Sequence, residues 1–172
     1  MIEAGPWPYP LAWRDAANGV ASLRLVADPL ALSRIAAFLD LESLQALAAD
    51  LTIRPWRDGI EISGRIDGRA TRICGLTLEA FDAGIAEDLR VRIVPPGSPN
   101  AARGADPNLD PDTPDERVGD AVDVGAYVVE HLALALDPFP RKPGAVFEPP
   151  EPTGPASPFA ALAGRARPPS AD

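Results

Sequence analysis

Residues 47–66 read LAADLTIRPWRDGIEISGRI and alternate apolar with polar side chains on both sides of a turn. Leu47, Ala49, Leu51 and Ile53 occupy one phase; Ala48, Asp50, Thr52 and Arg54 occupy the other. After Arg57-Asp58-Gly59, the residues Ile60, Ile62 and Ile66 alternate with Glu61, Ser63 and Arg65. A period of two sends successive side chains to opposite faces of a strand, so the stretch reads as a hairpin with one dry and one wet face. Gly64 and Gly68 fall in the dry phase, where a missing side chain marks a bulge or strong bend, and the sheet is expected to coil towards a partial barrel. A third strand is expected from about Ala83 to Val94, with Ile85, Leu89, Val91 and Ile93 on one side and Asp88, Arg90 and Arg92 on the other. Antiparallel pairing is the economical arrangement.

Working outward, Asn18-Gly19 signals a turn, and Leu23, Leu25 and Ala27 alternate as a further strand. Asp28-Pro29 supplies an N-cap and a first-turn proline for a helix carrying Leu32, Ile35, Ala36 and Leu39. A second helix is expected over Asp123 to Leu136, where Val124, Tyr127, Val128, Leu132 and Ala135 form a stripe at helical spacing. The opening WPYPLAWRDA suits an edge strand anchored by Trp7, Tyr9 and Trp13, because its prolines cannot donate to a central ladder. The expected fold is α+β, a bent antiparallel sheet packed by two helices, in one domain spanning 1–140. Residues 95–118 have no apolar period and read as a mobile acidic loop; residues 141–172 read as an extended proline-rich tail.

The chain has 16 basic and 25 acidic residues, a net charge of −9, which is the wrong sign for a protein held mainly by phosphate neutralisation. The charge is unevenly spread. From Arg103 to Asp123 there are seven acids against two arginines, whereas from Asp50 to Val94 eight acids nearly balance seven arginines. Lys142 is the only lysine beside 15 arginines, and arginine is the better planar donor to phosphate and carboxylate. No apolar run is long enough to span a membrane, and MIEAGPWPYP lacks the basic and apolar parts of a signal peptide, so a cytoplasmic location is expected, with neither membrane nor DNA as partner.

The sequence holds no Walker loop, G-x-G-x-x-G, G-x-S-x-G or H-E-x-x-H motif, and an enzyme is not expected. One cysteine and one histidine cannot alone build a structural zinc site, so neither metal nor cofactor is expected. Cys74 reads as a small buried residue at a strand end and His131 as a helix-flank histidine; a Cys/His nucleophile pair would lack an orienting third group. What remains is binding. With the strands paired as above, Arg54, Arg65, Arg69, Arg90 and Arg92 share the wet face, a set suited to holding RNA phosphates or stacking on unpaired bases. The competing reading pairs them across strands with Glu61, Asp67 and Asp88 as an ordinary solvated face. Beyond the sheet, Phe139, Arg141, Lys142, Phe147 and Phe159 lie among prolines and read as a partner-binding element.

Three segments carry a resemblance: Cys74 to Glu79 (CGLTLE), Leu132 to Gly144 (LALALDPFPRKPG) and Ser157 to Leu162 (SPFAAL). In these the chain resembles the YceD-type family, bacterial proteins linked to accumulation of large-subunit ribosomal RNA. The resemblance implies a non-enzymatic role in synthesis, processing or stability of 23S ribosomal RNA, with that RNA and ribosomal or assembly proteins as partners. Some relatives carry a second cysteine shortly after the first; here Thr77 stands in its place, and no metal or redox role of such a pair carries over. Two modes of action stay open, direct RNA binding by the arginine face and an acidic adaptor that holds a basic ribosomal protein.

Overall fold

The structure, a computed structural model, describes residues 5–16, 19–95, 97–98, 116–117 and 121–147. Its centre is the expected hairpin, lengthened at both ends: β3 runs Ser43–Trp56 and β4 runs Gly59–Ile73. With β2 (Ala21–Val26) on one side and β5 (Ala80–Val94) on the other, they form four antiparallel strands in the order β2-β3-β4-β5. The two-residue β6 (Glu116–Arg117) adds a short parallel pairing to the end of β5. The sheet is not closed into a barrel.

The register fixes the two faces. Ile53, Ile62 and Val91 lie side by side on β3, β4 and β5, and so do Ala49 and Ile66; all of these are buried. Gly64 sits opposite Leu51, where an added Cβ would lie 2.1 Å from the Asp50 carbonyl oxygen, so a side chain there would force the two backbones apart. The close approach is thus at Gly64, while the register irregularity occurs at Leu44/Ala46, near Gly68.

Both helices form where their caps place them. In α2 (Pro29–Phe38) the Asp28 carboxylate accepts from the Ala31 N–H at 2.7 Å and proline takes the first turn; Ala31, Ile35 and Ala36 are buried in the core that α2 shares with β3. In α3 (Val124–Ala135) the Asp123 carboxylate accepts from Gly125 and Ala126, and Val124, Tyr127, Val128 and Leu132 face inward. This helix packs against β5.

The opening segment is an edge strand, as its prolines require, but of a ribbon separate from the main sheet. Its strand, β1 (Pro10–Ala12), pairs with β7 (Ala121–Asp123) in a separate two-stranded ribbon, and a single turn, α1 (Trp13–Ala16), follows. Asp123 Oδ1 also accepts from Tyr9 N at 2.8 Å. A Cβ on Gly125 would lie 1.9 Å from the Trp7 carbonyl oxygen, so glycine lets the N-terminal segment cross the start of α3. The expected acidic loop over 95–118 falls mostly outside the described residues, as does the tail beyond Phe147.

Candidate nucleic-acid interface

The face of the sheet turned away from the helices carries the five arginines, and the register sorts them into two groups. Arg54, Glu61 and Arg92 lie in one cross-strand row on β3, β4 and β5, with Arg90 diagonal to Glu61. The row of Asp50, Arg65 and Asp88 follows four residues further along β4, and Arg69 four residues beyond that.

Glu61 is the organising residue. Although it points to the wet face, it is only 1% exposed. Its Oε1 accepts from Arg54 Nε at 2.9 Å and from Arg54 Nη2. Its Oε2 accepts from Arg92 Nε at 2.9 Å, from Arg90 Nε at 3.1 Å and from Arg90 Nη2 at 3.0 Å. Burial alone would raise the Glu61 pKa, but hydrogen bonds from Arg92, Arg90 and Arg54 outweigh it and bring the value down to about 2. The carboxylate is therefore charged throughout the neutral range. Within these four side chains, three guanidinium groups share one carboxylate and two positive charges are left in excess.

Shelter comes from the hairpin end. Trp56 has the Arg57 guanidinium 4.8 Å and the Arg92 guanidinium 5.0 Å from its ring centroid. Arg57 itself takes a left-handed backbone (φ 54°) in the turn. Arg92 is largely covered, at 19% side-chain exposure, whereas Arg54 and Arg90 remain 51% and 60% exposed. The other group is balanced and solvated: Arg65 contacts Asp67 at 3.3 Å and Asp88 at 3.4 Å, all three exposed. Arg69 lies near Asp82, whose carboxyl is held below its ordinary value by Gln45 first and Thr71 next. The cross-strand pairing with Glu61, Asp67 and Asp88 read from the sequence thus occurs at both ends of the face, and the two ends differ in the burial of the acid and in how many arginines share it. The burial of Glu61 and the role of Trp56 are the features that sequence reasoning missed; the signal was Glu61 flanked in register by Arg54 and Arg92.

A second locus joins two of the quoted segments. Cys74, buried directly after β4, accepts from the N–H groups of Thr77 and Lys142 at 3.4 Å each, the latter 68 residues away. Gly75 N donates to the Pro140 carbonyl at 2.9 Å, Lys142 Nζ lies 3.0 Å from Glu79 Oε2, and Arg72 Nη2 donates to the Asp137 carbonyl at 2.8 Å. The thiol is lowered to about 6, chiefly by the Thr77 side chain and then by the Lys142 N–H. These bonds go to Thr77 and Lys142, not to His131, which lies half-buried on α3. Phe139 is 78% exposed and Phe147 also faces solvent, Arg141 is exposed, and Phe159 lies outside the described residues.

No group of three or more His, Cys, Asp or Glu side chains converges as a metal site among the described residues, and no described helix is long and apolar enough to cross a membrane. Comparison with protein-family models, curated proteins and solved structures returns no match for this chain.

Proposed function

We propose that this chain is a non-enzymatic ribosome biogenesis factor that supports the synthesis, processing or stability of large-subunit (23S) ribosomal RNA by binding RNA through the Glu61 end of its sheet. The observation that carries the reading is the sharing of one buried carboxylate by three arginines, two of them half-exposed. A chain of net charge −9 repels nucleic acid at long range, so contact requires a local excess of positive charge, which Arg54 and Arg90 supply against the single carboxylate of Glu61. The resemblance supplies the RNA class.

The test is crosslinking of the tagged protein in bacteria followed by sequencing of bound RNA, comparing the parent with Arg54→Gln/Arg90→Gln. Enrichment of 23S sequence in the parent and its loss in the folded variant is the expected result; equal RNA recovery from both would reject this surface. A second reading, an acidic adaptor for a basic ribosomal protein, is favoured by the exposed Phe139 and Phe147 and by the acidic composition of residues 103–123. Truncation after Gly144 should then leave thermal stability nearly unchanged while reducing recovery of ribosomal proteins; unfolding of the truncated chain would sink that reading.

A further inference from the structure

The geometry points to a ligand class for the Glu61 patch: we infer that Arg54 and Arg90 form a two-armed fork for phosphate oxygens, which grips the ribose-phosphate backbone and leaves the bases unread. This rests on the RNA-binding reading above and deepens it.

Each arm is set by how its guanidinium is used. Arg54 and Arg90 both direct the side-on edge, Nε with Nη2, to Glu61. That leaves the end-on edge of each, Nη1 with the second N–H of Nη2, which is the edge that receives two phosphate oxygens in parallel bonds. The arms come from β3 and β5, on opposite sides of β4, and converge on the two oxygens of one carboxylate. Because Glu61 is buried and bonded to both, it holds the two planes before any ligand arrives, which lowers the ordering cost of binding. Glu61 is thus a positioning residue.

The aromatic partner argues against base recognition. A stacking platform needs an open ring face. Trp56 is the one aromatic residue in the outward phase of the four antiparallel strands, and its ring is engaged by the guanidinium groups of Arg57 and Arg92. It braces arginines. The fork should therefore bind any flexible phosphate chain, whether or not that chain carries bases.

Three fluorescent probes decide this by anisotropy: a short unstructured RNA, an abasic ribose-phosphate oligomer of equal length, and long-chain inorganic polyphosphate. The parent should bind all three within about threefold of one another at equal phosphate concentration, as a purely electrostatic backbone contact requires. Arg54→Lys/Arg90→Lys keeps the charges and the pairing to Glu61 but removes the end-on edges; it should fold as the parent does, by circular dichroism and denaturant midpoint, and bind each probe about tenfold more weakly. Arg54→Gln/Arg90→Gln/Glu61→Gln replaces both arms and the carboxylate that holds them by neutral amides, keeps Arg92, and should abolish the remainder. If RNA binds but the abasic oligomer is more than about tenfold weaker, bases are read and the fork is wrong while RNA binding stands. Binding of polyphosphate without RNA would keep the fork and reject the RNA reading. Failure of all three probes rejects both, and a lysine variant indistinguishable from the parent shows charge alone and overturns the fork.

Discussion

Two ends of one sheet face carry the same residue types and behave differently. At the hairpin end Glu61 is buried and bonded to Arg54, Arg90 and Arg92; at the other, Asp67 and Asp88 stand in solvent beside Arg65. Three arginines share one acid at the first end and one arginine meets two acids at the second, and burial separates them further. An ion pair in water gains little because the solvent competes for both partners and two long side chains lose freedom. A buried carboxylate has lost its water, so it depends on every donor that reaches it, and those donors are fixed in return. One end is therefore a rigid cationic group with excess charge, and the other is an ordinary solvated face.

The largest expected effect follows from removing the buried charge. Glu61→Leu leaves three arginines converging on an apolar side chain and should cost about 3–5 kcal/mol in denaturant unfolding, the range seen when one partner of a buried ionic group is deleted. A loss no greater than that of a surface pair would show that the two ends do not differ.

The acid limb of stability sharpens the same contrast. The folded pKa of Glu61, about 2, lies below its ordinary 4.5, so its contribution is complete above pH 4.5 and is lost as the pH falls towards 2. The loss should be on the order of 3 kcal/mol. In Glu61→Gln that limb should shrink to the shallower part left by Asp82 and Glu79, whose carboxyls are also held low. Unfolding curves at stepped acidic pH measure it, and an undiminished limb in the variant would remove Glu61 as its source.

RNA binding should divide along the same line. Arg54→Gln/Arg90→Gln should flatten the salt dependence of single-strand RNA binding by about 1.4 in log–log slope, two counterions at about 0.7 each. Arg65→Gln/Arg69→Gln should flatten it by less than half as much, since Arg65 is already matched by two carboxylates. Equal slopes from the two pairs would make the face uniform. The smallest effect belongs to the exposed end: Asp88→Asn should change stability by less than about 1 kcal/mol. A larger cost would show that this pair is sheltered as well.

Much of this could be read along the chain. The hairpin, the third strand and both helices follow from periodicity and, for α2, from the cap Asp28, because these are local demands: a strand alternates its faces, and a helix start needs an acceptor for its first N–H groups. The boundaries were less legible. β5 begins at Ala80, three residues before the expected start, in a stretch whose pattern is broken by Gly84, and β1 finds its partner in β7, more than a hundred residues away. The junction of Cys74 with Lys142 was equally hidden, since nothing in either segment specifies the other.

The sequence by itself determined which side chains of each strand share a phase, and so put Arg54, Arg90 and Arg92 in the wet phase together with Glu61. Only the tertiary structure decided which acid is buried. That depends on three strands in register, which bring Arg54, Arg90 and Arg92 onto one carboxylate, and on the turn that sets Trp56 against Arg92. The physical reason is that a strand's phase is set by its own backbone, whereas the loss of water around a carboxylate is a joint property of every group that covers it.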